Sequence, residues 1–317
     1  MSPKIQASLP IKINAPRQKP KTEESMVPVS FGVRLVTLLA VTLPLAGLVL
    51  AGCLLWGYGF NWVELGLLGG MYFFTALGVT VGYHRLFTHR SFETNRAVQV
   101  VLVALGSMAF QGPLLTWVAV HRRHHQHSDS DRDPHSPHAY GSGAWAIFKG
   151  FWHAHIGWLF RANPANLESY VKDLRRRPWI RRASELFPFW AALGLLIPAV
   201  LGWLLIGGWY GALLGFLWGG VIRIFVGHHL TWSVNSVCHL WGMQPFKGHD
   251  ESRNNFVFGV LGLGEGFHNN HHAFPTSARH GLFWWQLDIS YLVIRGLALL
   301  GLAWNIRLPR QAALASG

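Results

Sequence analysis

Half of the 317 residues are hydrophobic and only 13% are charged, against about 25% charged in ordinary soluble domains, which excludes a soluble enzyme and points to a membrane protein. The net charge of +13 raises nucleic acid as a partner, but the placement of the cations gives it a membrane cause instead. Two distant cysteines, Cys53 and Cys238, rule out a disulfide framework and a CxxC zinc motif.

Residues 1–30 are polar, contain Pro and Lys, lack apolar periodicity, and read as a disordered cytoplasmic tail. Val36–Leu55 is an uncharged run of twenty residues, long enough to span a bilayer. After the turn GYGFNW, Val63–Val81 is a second span with Glu64 near its start, and His84 follows at once. Residues 82–185 are polar to amphipathic. Within them Val98–Val118 resembles a span, but Gln111, Gly112 and Pro113 interrupt it, so a helix along the membrane face is expected. Leu186–Ile206 and Trp209–Val226 form a second hairpin turned at Gly207-Gly208. Leu282–Leu302 carries Asp288 and Arg295 and reads as interfacial or packed. The main domain is thus 31–305, followed by a C-terminal tail, 306–317.

Of the 27 Lys and Arg, six lie in residues 1–34, 14 in 82–185 and seven from Arg223 onward, with none in the turns 56–62 and 207–210. The positive-inside rule then puts both termini and all histidine clusters in the cytoplasm. The expected fold is an all-α membrane protein of four spans in two hairpins, under a cytoplasmic helical cap. The basic charge needs no nucleic acid.

Nine histidines fall in four clusters: HRLFTH at 84–89, HRRHH at 121–125, NSVCH ending at His239, and HNNHH at 268–272. On a helix, positions i, i+3 and i+4 share a face. His121, His124 and His125 are therefore expected to meet at one point, and His268, His271 and His272 at another. His84 and His89 lie about 140° apart on an ideal helix and converge only if the helix end loosens or the site lies between them. Imidazole suits zinc, copper, iron and nickel. Nine ligands exceed the need of one metal and fit two, each with four or five. Such a nitrogen-rich pair next to lipid implies redox chemistry on oxygen.

The stretches HRLFTH, HRRHHQHSDSDRDPHSPH, TWSVNSVCH and GEGFHNNHHAFPTSARHG resemble the membrane fatty acid desaturases, closest to the bacterial and cyanobacterial acyl-CoA or acyl-lipid Δ9 enzymes, over about residues 31–300. The resemblance implies two iron ions held by His84, His89, His121, His124, His125, His239, His268, His271 and His272, with Asn235 reaching a metal through water. It implies a cis double bond placed at C9–C10 of a saturated acyl chain, with O2 reduced to water, in a bacterial inner or thylakoid-type membrane. No His-Pro-Gly-Gly haem stretch is present, so a separate electron donor, ferredoxin or a b-type cytochrome, is expected. A histidine-cluster hydroxylase is the alternative; a metal transporter would place ionisable residues within its spans, where no histidine lies.

Asp129, Asp131 and Asp133 mimic the start of a calcium loop, but Pro134 and Tyr140 occupy the places an EF-hand gives to Gly and Glu. Asp129, Asp133 and Glu265 are instead expected to accept the far N–H of ligating histidines and fix their tautomer. The other nine histidines, among them His135, His249 and His280, are assigned packing or supporting roles. Trp117, Trp145, Trp152, Trp284 and Trp285 either line an acyl tunnel or sit in belt and core positions. Met71, Tyr72 and Phe73 lie about 16–20 Å of helix before His84, and Tyr72 is the choice for the tunnel floor, because a buried hydroxyl needs a partner.

Overall fold

The computed structural model describes residues 5–8, 25–55 and 62–310. Residues 56–61 of the first expected turn (56–62), most of the expected N-terminal tail and the last residues, 311–317, lie outside the described residues. The described chain is mainly helical. Phe31–Leu55 is α1 and Trp62–Leu77 is α2, which continues without a break as π-helical turns over Gly78–Thr88. Next come α3 (Arg96–Met108), α4 (Leu114–His127), α5 (Ala144–His155), α6 (Lys172–Arg175) and α7 (Pro178–Glu185). Then follow α8 (Phe187–Gly202), α9 (Gly208–Gly215), α10 (Arg223–Ser236), α11 (Phe256–Leu261), α12 (His268–Ala273) and α13 (Ile289–Leu299).

Among the described residues, three helical stretches are long and apolar enough to cross a membrane: Phe31–Leu54, Trp62–Thr88 and Phe187–His239. The third, of 53 residues, would reach about 80 Å if straight, far beyond a hydrocarbon core of about 30 Å. It is not straight. Gly207 and Gly208 take φ of +102° and +59°, values open mainly to glycine, and the chain doubles back there. The two limbs then pack so closely that a Cβ on Gly202 would collide with the Gly211 carbonyl.

The break expected at Gln111–Pro113, within Val98–Val118, falls at 109–113, between α3 and α4. Helix α3 begins on a cap in which Val98 N donates to Asn95 Oδ1 at 3.0 Å, the usual rescue of a first-turn N–H. It lies against the π-helical end of α2, where a Cβ on Gly78 would strike the Gly106 backbone. Helix α13 packs through Tyr291 and Ile294 into one buried cluster with Val81, Phe92, Leu114 and Ile180, as the packed reading of 282–302 required.

Three two-residue to four-residue strand pairs tie the ends down: β1 (Ile5–Ser8) with β6 (Ile306–Pro309), β2 (Met26–Val27) with β4 (Asn163–Pro164), and β3 (Glu93–Thr94) with β5 (Ala303–Trp304). Ile5–Ser8 runs parallel to Ile306–Pro309 in register Ile5↔Ile306, and Ile306 is fully buried. Backbone pairing across three hundred residues leaves no mark in local periodicity.

Candidate metal centre

The loosened helix end that His84 and His89 require is present. The i→i+5 bond from His89 N to His84 O measures 3.1 Å, and such π-type turns stack residues five apart. Their ring centroids lie 4.8 Å apart. Arg122, on α4, caps this end by donating to Phe87 O at 2.8 Å and Thr88 O at 3.2 Å, and Asp173 anchors the guanidinium at 2.7 Å. One arginine thereby ties the end of α2 to the helix that carries the next cluster.

All nine predicted histidines meet, in two groups whose ligand atoms lie within 4.8 Å of one another: His84, His89, His121, His125 and His271 in one, and His124, His239, His268 and His272 in the other. The expectation that each HxxHH triple meets at one point is corrected. At 100° per residue, i+4 sits about 40° to one side of i and i+3 about 60° to the other. Each triple therefore fans over about 100°, enough to serve two sites. Helix α4 gives its i/i+4 pair, His121 and His125, to the first group and His124 to the second. Helix α12 does the reverse, giving His268 and His272 to the second group and His271 to the first.

The nitrogens facing inward are arranged as ligands rather than as hydrogen-bond partners. Nε2 of His271 lies 3.0 Å from Nε2 of His84 and 2.9 Å from that of His125, which is 3.0 Å from Nε2 of His121. In the second group the Nε2 atoms of His239 and His268 are 3.1 Å apart, and those of His124 and His272 3.3 Å. The Nδ1 atoms of four rings meet carboxylates: His84 with Glu265 at 2.5 Å, His124 with Asp133 at 3.0 Å, His239 with Asp129 at 2.9 Å and His272 with Asp250 at 2.7 Å. A proton held at Nδ1 leaves a lone pair at Nε2, and close lone pairs repel unless a cation lies between them. Nε2 of His89 is buried without any hydrogen-bond partner. This donor set fits two metals of the borderline type, and the nine histidines would hold them.

Burial, reinforced by the neighbouring imidazoles, holds the pKa of His89, His121, His125, His268 and His271 well below the ordinary value. His272 is pushed down to about 4, burial outweighing the Asp250 charge. These rings are neutral at pH 7, the state in which imidazole binds metal. The carboxylates run the other way. Burial alone would raise Asp129, Asp133 and Asp250, but their histidine partners and hydrogen bonds hold all three well below the usual carboxylate range.

Asp129, Asp133 and Glu265 lie against Nδ1 of His239, His124 and His84. Asp250 has the same place, and sequence reading missed it, because it lies 22 residues from His272 and outside every motif. His135 and His280 prove closer to the centre than a packing role suggests. His135 is tilted against His124 with ring centroids 4.3 Å apart, and the His280 and His271 centroids are 4.4 Å apart. Arg85 is fully buried beside His84, within 3.4 Å of Glu265 and 3.1 Å of Asp288. Asp288 in turn accepts from His280 N, Gly281 N and Tyr291 N, so the charge of Arg85 is balanced from two sides.

A cavity runs from His84, His121, His268 and Asn235 between α2 and α10 to Tyr72 and Arg223. Asn235 and Trp117 line it, whereas Trp145, Trp152 and Trp284 face outward. Tyr72 has its partner, the Leu261 carbonyl, at 2.5 Å. Gln111 donates to Thr231 Oγ1 at 2.7 Å and accepts from Trp117 Nε1 at 3.1 Å, making a polar elbow in the cavity wall that sequence reading did not single out.

Comparison with known proteins is consistent with this site. Residues 60–304 match the family model described as fatty acid desaturase. The chain is 45% identical, over 86% of its length and 85% of the relative, to the hex-5-enoyl-[acyl-carrier protein] acetylenase of Moorena producens. It is 42% identical to the sn-1 stearoyl-lipid 9-desaturase of Anabaena variabilis, covering 78% of this chain and 86% of that one. It is 39% identical to Delta-9 acyl-lipid desaturase 1 of Arabidopsis thaliana, covering 82% and 80%.

Proposed function

The chain belongs to the fatty acid desaturase family, and from that membership we propose that it places a cis double bond at C9–C10 of a saturated, lipid-bound acyl chain at a diiron centre. In balance, one saturated chain, O2, two electrons and two protons give one alkene and two waters. The observation that carries this reading is the division of nine inward-facing imidazoles into five and four, at the end of a cavity walled by two long helices. Iron would supply the oxygen activation that removal of hydrogen from an unactivated carbon needs.

The chain's own residues supply position and exclusion of water. Asp129, Asp133, Asp250 and Glu265 keep four imidazoles in the ligating tautomer. Asn235, on the cavity wall with His84, His121 and His268, would hold a water for one of the ions. Helices α2 and α10 hold the methyl half of the chain, and the Gln111–Trp117–Thr231 elbow bends it past the centre. The relatives named for stearoyl-lipid and acyl-lipid desaturation support a glycerolipid head group.

The reversal at Gly207–Gly208 and the clustering of cations support four spans: α1, the apolar part of α2, and the two limbs of Phe187–His239. The histidines and both termini then face the cytoplasm, where a separate ferredoxin or b-type cytochrome delivers electrons. Expression in a host that lacks the activity, followed by mass spectrometry of its lipids, tests the proposal. A new C9 alkene in one lipid class is expected, and an alcohol in its place sinks the reading. The acetylenase relative favours a second reading, removal of two more hydrogens from an alkenyl chain. A triple bond formed only when alkenyl substrate is fed would select it.

A further inference from the structure

Arg223 lies 12 residues before Asn235 on α10, about 18 Å along the helix, and lines the far part of the cavity that Tyr72 also lines. It is 1% exposed and meets no carboxylate among the described residues. A buried charge without a counter-ion is costly unless its donors are fully used. Here they reach three carbonyls: Nη1 to Met108 O at 2.7 Å, Nη2 to Gly194 O at 2.8 Å and Nε to Gly219 O at 3.1 Å. Two of these carbonyls are left over by the helices themselves. Met108 ends α3, and the residue four beyond Gly194 is Pro198, which has no N–H to give. The arginine thus pairs what a helix end and a proline leave open.

Further along α10, His228 Nε2 donates to Phe110 O at 3.0 Å, and Thr231 Oγ1 accepts from Gln111 at 2.7 Å. Together these bonds pin the bend Ala109–Pro113, whose Phe110 has φ +61°. Such a conformation is strained for a non-glycine residue and persists only where its surroundings hold it. The bend carries Gln111, and Trp117 hangs from it by the Gln111 bond.

We propose that Arg223 and His228 are positioning residues for the acyl chain: by pairing the carbonyls of Met108, Phe110 and Gly194 they fix the bend 109–113, and with it Gln111 and Trp117, relative to the metals. They thereby decide which carbons meet the centre. The proposal rests on the desaturase reading for its chemistry and on the fold alone for its geometry, and the test separates the two.

Arg223→Met, Arg223→Lys, His228→Leu, His228→Gln and the double variant Arg223→Met/Pro198→Ala are compared with the unaltered protein. Three readouts are taken: iron per chain, hydrogen exchange of a peptide covering 105–118, and double-bond position in the product. Displacement by about 1 Å costs on the order of 100-fold in rate, and a loss of that size is expected for Arg223→Met, with the residual alkene spread over neighbouring carbons and iron content unchanged. Arg223→Lys, with a single donor head, should fall between. His228→Leu should spread the product with a smaller loss, and His228→Gln, which keeps a donor, should restore the wild-type position. Pro198→Ala supplies the N–H that Gly194 lacks and should recover part of the Arg223→Met loss.

Faster exchange at 105–118 in Arg223→Met and His228→Leu is expected whatever the reaction. Unchanged exchange, or a single wild-type bond position in both variants, overturns the proposal. If Arg223→Met does not accumulate as folded protein, His228→Leu decides by the same two readouts. An unaltered protein that loads iron and forms no alkene would sink the proposed reaction, while the exchange data would still judge the role of Arg223.

Discussion

Replacing Asp250 by Asn probes the four-histidine group without touching a ligand. Oδ2 of Asp250 accepts from His272 Nδ1 at 2.7 Å, while Oδ1 accepts from Ser252 N at 3.1 Å and Ser252 Oγ at 2.6 Å. The side chain is 3% exposed, so no bulk water can replace a lost partner. Asparagine has the same shape and one acceptor oxygen instead of two. If its NH2 turns to His272, it donates to Nδ1, drives the imidazole proton to Nε2 and removes that ligand. If it turns to Ser252, it faces an N–H and leaves a buried donor unpaired, at about 1–3 kcal/mol. Loss of such a supporting partner typically costs about 10–100-fold in metal affinity, or about 1.4–2.7 kcal/mol. In detergent-purified Asp250→Asn, chelator titration with iron counted per chain should show the four-histidine group emptying at correspondingly lower chelator. The five-histidine group, which has its own support from Glu265, should empty as in the unaltered protein. Two metals leaving together at the wild-type chelator concentration would refute the tautomer argument.

The remaining predictions are direct. His124→Ala and His271→Ala, one from each group, should each abolish product while the protein still inserts in the membrane; full activity in either breaks the ligand assignment. Tyr72→Ala should shift preference toward longer saturated chains with the double bond unmoved, and an unchanged chain-length profile removes Tyr72 as the floor. Burial holds the folded-state pKa of His135 at about 3 and of His272 at about 4, below the unfolded value of about 6.5. The unfolded chain therefore binds more protons in that interval. The contribution of these two rings to the stability of the metal-free protein should be full above pH 6.5 and fall toward pH 4, as thermal unfolding across that range would record; a flat profile contradicts it. An accessibility tag within 56–62 should label from outside and tags near 150 or 310 from inside, and outside labelling at 150 refutes four spans.

Much of this protein is written in local patterns. Runs such as Val36–Leu55 and Val63–Val81 declare membrane-length helices because burial in lipid demands apolar continuity. The HxxHH spacings declare ligand faces because a helix repeats at a fixed angle. The same angle already implied that i+3 points away from i+4, so the split of each triple between two groups was legible in principle. It became decisive only when α4 and α12 faced each other in opposite senses. Convergence of His84 with His89 depended on a π-helical end, which is set by the tight approach of α3 at Gly78 and by the Arg122 cap, neither of them local in sequence. Asp250 was invisible because a carboxylate joins a histidine 22 residues away only after the loop between them has folded. Arg223 read simply as one more cation. Its meaning lies in carbonyls of Met108 and Gly194, 115 and 29 residues away, left open by a helix end and a proline. Periodicity fixes which face a residue occupies, and only the packed chain fixes which unpaired group waits opposite it.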